Sequence, residues 1–546
     1  MIARFLLHYG MLSCLLPGSY LLAQEIEPKV VIGPETTYID GPLTTDGYID
    51  YLAHLNAILS KGVTPENNAA VLLLKASRGE ISDEKYMKKY CKALGIKPQP
   101  LQGDYFMTYH QFACQEEKKI KKRNLTFQEI NAATGKIDEQ FDNAGKGAWT
   151  REKFPAIAQW IEASNKPLEL VRKATLRPRY YHPLVNSSDN AEHAGPLVAV
   201  LLPQVQSARS FARVLMVRSL LGLGEGNIEQ CTEDILTIRR LGNHIAQGAT
   251  LVEQLVGIAI VGIAQNLEQK VALSGKLSTK QLLNYRTKMR KTAIKSNMLR
   301  SFSQCERFMY LDSVQQVMKG GMESMNLLSG IAGASKKKTR MQDMLDNVIS
   351  SSTDWSVTMK EGNQLYDKYE KQLSNDEDWI AQDKVLVKME KEIKELAVET
   401  SDFSAGLKAL LGGPEYRGKM MGKVFVGLLL PALRSASMAE KRAIVMDDLS
   451  FMVITAAAHK SETGEFPRSI ADFSRNATDE LPVDRYANDD YRYRVEGNGF
   501  VVYSVGPNRK DEDGNGVFNQ RRDKGDDYGA GYESQAINVK PSNIFK

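Results

Sequence analysis

Three oxygen-bearing side chains near the end of the chain have the spacing of the first half of a calcium-binding loop, and three carboxylates follow them. Asp511, Asp513 and Asn515 occupy alternate positions, and Gly516 follows where a sharp turn needs glycine. Ca²⁺ prefers six to eight oxygen ligands, and alternate residues of a tight turn point inward. Arg522 stands where such loops usually carry a bidentate Glu, so three later carboxylates are the candidates to complete the shell: Asp523, Asp526 and Asp527. The pattern predicts a calcium site, with a solvated acidic turn as the alternative.

No other part of the sequence carries a recognisable catalytic or metal-binding motif. The histidines that follow the N-terminal segment are scattered: His54, His110, His182, His193, His244 and His459. Neither HExxH nor GxSxG occurs, and the cysteines lack the spacing of a zinc site. An active site would therefore have to be assembled from residues that lie far apart in the sequence.

One short segment combines basic and aromatic residues. It reads Arg-Pro-Arg-Tyr-Tyr-His-Pro over residues 177–183. Such a mixture could bind an anionic ligand, because guanidinium groups form strong charge-assisted hydrogen bonds with oxyanions. A rigid loop whose tyrosines pack on neighbouring helices is the favoured alternative.

Length and composition are those of an ordinary globular protein. The chain has 546 residues, of which 42% are hydrophobic and 25% are charged. This length exceeds what one hydrophobic core usually organises, so several domains are expected. The formal net charge is only +5, which argues against a dedicated nucleic-acid-binding protein.

Residues 1–23 have the features of a secretory signal peptide. Arg4 precedes an apolar stretch that Pro17 interrupts, and Ala23 is a small residue at the expected cleavage position. We therefore expect export to the periplasm or the cell exterior, with an uncleaved N-terminal anchor as the alternative. No membrane span is expected after signal removal, because the most apolar later stretch, residues 255–264, has the length of a buried helix.

Four cysteines follow the signal segment, and their pairing is open at the level of sequence. Cys91 and Cys114 are the pair closest in sequence and could form a disulfide in an exported protein. Cys231 and Cys305 lie in helical patterns, where a buried free thiol is equally expected.

Residues 24–334 are predicted to form a helical domain. The clearest unit is a helix over 208–223, a glycine-bearing stop at 224–227, and a second helix with apolar residues at Ile228, Cys231, Ile235 and Ile238. This pattern is typical of an αα-hairpin, and no 34-residue recurrence accompanies it. The sequence therefore predicts a bundle of helical hairpins.

Residues 335–413 differ in composition from the preceding helices. Closely spaced charges of both signs, as in residues 388–399, are typical of solvent-exposed helices. We expect charged helices that project from the body and end in a linker at Leu411-Gly-Gly-Pro414, since two glycines and a proline stop a helix.

The last segment, residues 414–546, reads as a long helix followed by short strands. Its ordered features lie at 463–467 (Thr-Gly-Glu-Phe-Pro), 481–484 (Leu-Pro-Val-Asp), 491–494 (Tyr-Arg-Tyr-Arg) and 499–508, which opens Gly-Phe-Val-Val-Tyr-Ser. This order resembles the globular domain of type II secretion pseudopilins and related pilin-like proteins. The resemblance implies a long helix, a short antiparallel sheet and a calcium-binding acidic loop after the Tyr-Ser strand. The predicted fold class is thus mainly α, a multi-helix hairpin bundle followed by a small α+β pilin-like domain.

The helical portion is also similar to uncharacterised exported proteins of planctomycete-type bacteria. The pieces that carry this likeness lie at residues 66–71, 154–160, 221–226 and 251–259. This second resemblance implies no known activity.

These observations lead to a functional expectation with two alternatives. We expect a non-enzymatic exported binding or scaffold protein that engages an unknown protein or cell-surface partner and no nucleic acid. A hydrolase whose site is assembled from sequence-distant residues of the helical domain is the first alternative. A component of a secretion or cell-surface apparatus is the second.

Overall fold

The structure is a computed structural model. It describes residues 27–78, 83–186, 197–200, 202–295, 298–331, 352–374, 378–401, 411–429, 433–475, 480–514 and 528–532. The predicted signal segment, residues 1–23, lies outside this set. Four of the six predicted calcium ligands also lie outside it: Asn515, Asp523, Asp526 and Asp527.

The expectation of a mainly helical fold is confirmed, since helices make up 65% of the residues that the structure describes. The first eleven are α1 (Tyr51–Leu59), α2 (Ala69–Ser77), α3 (Glu84–Ala93), α4 (Tyr109–Lys121), α5 (Phe127–Ala144), α6 (Pro155–Ala163), α7 (Asn165–Thr175), α8 (Pro203–Glu225), α9 (Ile228–Ile245), α10 (Leu251–Ala272) and α11 (Thr279–Arg290). A short turn (Met298–Arg300) and a π-helical segment (Ser301–Glu306) lead into α12 (Arg307–Ile331). The others are α13 (Trp355–Leu373), α14 (Trp379–Ser401), α15 (Pro414–Leu429) and α16 (Leu433–Thr463).

The predicted αα-hairpin is confirmed as α8 and α9. Gly226 ends α8 in the left-handed conformation with φ 80°, and the Asn227 side chain accepts a hydrogen bond from the Gln230 N–H to begin α9. The first helix is longer than predicted, because Pro203 opens it in the first-turn position that suits proline.

The largest hydrophobic cluster joins the helical body to the C-terminal part. Ile260 and Ala264 of α10 belong to the same buried cluster as Val453 and Ile454 of α16 and Val502 of the C-terminal sheet. The long helix predicted for the C-terminal segment therefore packs directly against the hairpin bundle.

The two helices described within the charged segment 335–413, α13 and α14, each bury one face. Tyr366, Tyr369 and Leu373 of α13 are buried in a second hydrophobic cluster, together with Leu386 and Met389 of α14. These residues recur at steps of three and four, which places them on one side of each helix. Exposed charges such as Asp367 and Lys368 lie outside this stripe, so the dense charge of the sequence accompanies an apolar stripe.

A small antiparallel sheet follows α16, as the sequence predicts. Its strands are β1 (Val483–Asp484) and β2 (Asp489–Asp490), which pair as a two-stranded ribbon, and β3 (Arg492–Glu496), β4 (Gly499–Ser504) and β5 (Tyr528–Tyr532), which pair in the order β3-β4-β5. The turn at Gly497 sets the first register, with Glu496 opposite Gly499. The return strand places Tyr528 opposite Ser504.

Helix α10 is the one helix of the described ranges long and apolar enough to cross a bilayer by length and composition. Of its most apolar window, 67% is buried inside the protein. It contains the stretch 255–264, for which the sequence predicts a buried helix.

Candidate functional site

The predicted calcium loop begins at Asp511, seven residues after Ser504, where β4, the central strand of the C-terminal sheet, ends. Asp511 Oδ1 accepts a hydrogen bond from the Tyr503 hydroxyl at 2.9 Å and another from the Asp513 N–H at 3.0 Å. Asp513 has a left-handed backbone, with φ 57°, and its carbonyl accepts a bond of 2.8 Å from Arg494. Hydrogen bonds from Tyr503 of β4 and Arg494 of β3 therefore hold the start of the loop in a tight turn.

These contacts bring together two of the six predicted ligands. The second carboxylate oxygen of Asp511 lies 3.5 Å from Arg492 Nε, so an ion at this position would share the carboxylate with an arginine. Within the described ranges, no group of three or more His, Cys, Asp or Glu side chains is arranged to hold a metal ion. The calcium site stays a prediction, since its other four ligands lie outside those ranges.

The basic and aromatic segment at 177–183 forms a rigid loop. Arg177 donates two hydrogen bonds of 2.7 Å to the carbonyls of Pro65 and Asn68, and Arg179 donates one of 2.8 Å to the carbonyl of Lys61. Both arginines thus anchor the loop on the α1–α2 connection. This arrangement agrees with the favoured structural interpretation of the segment.

The same loop places His182 beside the buried carboxylate of Glu253, a contact that no pattern in the sequence indicates. His182 Nδ1 donates a hydrogen bond of 3.1 Å to Glu253 Oε1, and both side chains are 1% exposed. Glu253 also accepts bonds from the N–H and hydroxyl of Thr250, which completes the capping box at the start of α10. The Thr-x-x-Glu spacing is a sequence signal for the cap, but not for the histidine.

Phenol groups surround this dyad. The ring of Tyr90 lies 5.5 Å from that of His182, and Tyr86 stacks on Tyr90 with ring centres 5.9 Å apart. Burial raises the pKa of Tyr180, and the nearby Glu253 carboxylate raises it further. The hydroxyls of all three tyrosines and Nε2 of His182 have no hydrogen-bond partner among the described residues.

The dyad has the chemical form of a general base, because a carboxylate on Nδ1 leaves Nε2 of a neutral imidazole as an acceptor. Its burial closes it to a substrate from solvent. A buried polar group without a partner costs about 1–3 kcal/mol, and four atoms without a partner among the described residues belong to His182 and these three tyrosines.

His244, on α9, also lies near this interior. Its Nε2–H donates to the carbonyl of Thr175 at 3.3 Å, and burial lowers its pKa to about 4. The imidazole is therefore neutral at physiological pH. Its other nitrogen, Nδ1, has no partner in the described part of the chain. A histidine on the apolar face of a helix is expected to have both ring nitrogens hydrogen-bonded, and His244 does not.

A second buried carboxylate lies at the end of the π-helical segment. Glu306 Oε1 accepts a hydrogen bond of 3.2 Å from the Leu251 N–H at the start of α10, and burial raises the pKa of Glu306 to about 7. The thiol of neighbouring Cys305 is also fully buried, and burial raises its pKa. All four cysteines after the signal segment are unpaired, so Cys91 and Cys114 form no disulfide here.

Glu306→Gln is expected to reduce the pH dependence of stability. Because the folded-state pKa is about 7 and the ordinary value is near 4.3, the stabilisation is fully present below about pH 4 and is lost as the pH rises through 7. Urea denaturation at pH 5 and pH 8 should show that the unfolding free energy falls by about 2.5 kcal/mol less in the variant than in the parent. The exposed Glu116→Gln is the control. Equal falls in parent and Glu306→Gln would contradict the assignment.

No known protein family, curated protein sequence or solved structure matches this chain.

Proposed function

We propose that this protein is an exported, non-enzymatic binding or scaffold protein with a pseudopilin-like C-terminal part that calcium stabilises. The observation that carries the proposal is the order of elements after α16. A long helix is followed by an antiparallel sheet, and the acidic segment lies between two strands that pair with each other, β4 and β5. Its partner would be a protein of a secretion system or of the cell surface.

The burial of the Glu253–His182 dyad favours this proposal over a hydrolase. A hydrolytic site needs its base within hydrogen-bond reach of a substrate. Both side chains of the dyad are 1% exposed and lie beneath tyrosine rings. The dyad also has a structural role that accounts for its position, because it ties the loop at 177–183 to the start of α10.

Calcium would stabilise the pairing of β5 with β4 in the C-terminal sheet. Strand β4 ends at Ser504, and its register partner Tyr528 opens β5, so the segment 505–527 connects two paired strands. Ordering such a segment costs about 1–2 kcal/mol of backbone entropy per residue. An ion that drew several carboxylates into one shell would offset part of that cost and cancel their mutual repulsion.

The experiment that tests this proposal follows strand β5 locally in the full-length chain. Hydrogen exchange of the amides of 528–532 is expected to slow by about a hundredfold when free Ca²⁺ exceeds its Kd a hundredfold, relative to the same protein in chelator. Asp511→Asn/Asp513→Asn should abolish this response, because it removes two of the predicted ligands.

A matched control separates ion binding from a general effect of charge. Asp40→Asn/Glu162→Gln removes two exposed carboxylates elsewhere on the protein, and it should respond to Ca²⁺ as the parent does. Exchange of 528–532 at the same rate with Ca²⁺ and with chelator would show that the acidic loop is a solvated turn.

A further inference from the structure

A polar cleft of about 990 Å³ opens between helices α7, α8, α9 and the end of α11. Its volume is in the range of sites for small organic ligands. Five cationic side chains line it: Arg172, Arg218, Arg240, Lys288 and Lys291. Three carboxylates oppose them: Glu169, Glu229 and Glu233. The lining therefore carries more positive than negative charge.

One of the arginines is held rigidly at the wall. Arg218 donates from Nε and Nη2 to the two carboxylate oxygens of Asp234, at 2.9 and 2.6 Å. The Asp234 side chain is 2% exposed and also accepts a bond of 2.9 Å from the Gln230 amide. Because a bidentate pair fixes the plane of a guanidinium, the remaining N–H groups of Arg218 have a set direction.

The other two arginines are paired along the same wall. Arg172 donates two bonds of 2.8 Å to the carboxylate of Glu169, three residues earlier on α7. Arg240 donates to Glu233, and its Nε is buried with no partner among the described residues. Each pair uses only part of the five donors of a guanidinium, so N–H donors remain on both arginines.

The excess of positive charge lies on the lysines of the facing helix. Neither Lys288 nor Lys291 has an ion pair within the part of the chain that the structure describes, and both side chains are exposed. They stand at the C-terminal end of α11, where the helix dipole favours cations. A ligand that complements this cleft must supply acceptors and negative charge.

We propose that this cleft binds a small polyanion, a molecule with two or more carboxylate or phosphate groups. One oxyanion would be bound by Lys288 and Lys291, and a second would accept hydrogen bonds from the arginines on the opposite wall. Charge-assisted hydrogen bonds of this kind are about twice as strong as neutral ones. The site is separate from the acidic loop, so either proposal can fail without affecting the other.

The test uses the full-length chain with two probes, citrate for the carboxylates and pyrophosphate for the phosphates. Isothermal titration calorimetry at low ionic strength is expected to detect binding of at least one probe to the parent protein. Lys288→Glu/Lys291→Glu should weaken that binding tenfold or more, because it reverses two charges that face the ligand. The relative affinities of the two probes identify the oxyanion class.

A control variant with the same change in net charge decides between a site and a general electrostatic effect. Lys88→Glu/Lys280→Glu alters two exposed lysines that do not line the cleft, and it should bind within twofold of the parent. Equal weakening in both double variants, or no binding of either probe to the parent, would overturn the proposal. Both double variants change exposed side chains only, so circular dichroism should confirm that they fold.

Discussion

Replacing Arg239 with methionine is expected to lower the free energy of unfolding by about 3–5 kcal/mol at pH 8, because it leaves buried carboxylates without their cation. Arg239 donates two hydrogen bonds of 3.1 Å to Glu268 and one of 2.8 Å to Asp447. The side chains of Arg239 and Glu268 are fully buried, and that of Asp447 is 13% exposed. Methionine fills part of the volume, so the loss reports mainly on charge.

The same variant should recover stability in acid. Burial raises the pKa of Glu268, and Arg239 opposes that rise. Without the arginine the pKa of Glu268 in the folded state rises further. The folded protein is then most stable at low pH, where Glu268 is protonated, and loses stability as the pH increases. Urea denaturation of parent and variant at pH 5 and pH 8 should therefore show the smaller difference at pH 5.

Two further variants make this test of the network sharper. Arg468→Met removes an exposed arginine that pairs with Glu465 on the surface, and no measurable change is expected. Arg239→Met/Glu268→Gln removes one of the two stranded charges and should be more stable at pH 8 than Arg239→Met alone. An unfolding free energy for Arg239→Met equal to that of the parent at pH 8 would show that the buried network contributes no net stability.

Gly257→Ala is expected to cost about 2–3 kcal/mol, because α9 and α10 touch backbone to backbone at this glycine. A Cβ at position 257 would lie 2.3 Å from the backbone nitrogen of Ala246 and 2.5 Å from the carbonyl oxygen of Gly242. Backbone atoms cannot move aside as a flexible side chain can. The two helices would have to separate, and the apolar residues between them would lose contact.

A second glycine of the same helix provides the matched control. A Cβ at Gly262 would meet no atom within 4 Å, so Gly262→Ala should add up to about 1 kcal/mol through helix propensity alone. Thermal and urea denaturation of both variants would measure the contrast. A Gly257→Ala variant as stable as Gly262→Ala would contradict the close contact of α9 and α10.

Signals that depend on neighbouring residues were sufficient to predict local structure. The Gly226-Asn227 pair predicts both the end of α8 and the start of α9, because a left-handed glycine and a capping side chain act within one turn. The glycine turn before β4 likewise predicts a hairpin whose strands the structure confirms.

Local signals were incomplete where a segment satisfied two patterns at once. The stretch that became α13 and α14 carries dense charge, from which we expected exposed, projecting helices. Its tyrosines and leucines recur at steps of three and four and are buried. The charges on one side of a helix do not reveal whether the other side is apolar enough to be buried. Only the packing of α13 and α14 in the second hydrophobic cluster shows that this side is buried.

The amino-acid sequence by itself determined the helical class, the hairpin of α8 and α9, and the hairpin of β3 and β4, since these follow from steric preferences and hydrogen bonds between residues close in the chain. Tertiary structure alone decided which charged groups meet. His182 and Glu253 are 71 positions apart, and Arg239 and Asp447 are 208 apart. It also decided which of two glycines in α10 is needed. Partners so distant are chosen by the packing of whole helices, because a buried polar group has no solvent to bond with and must pair with the groups that the packed helices bring within reach.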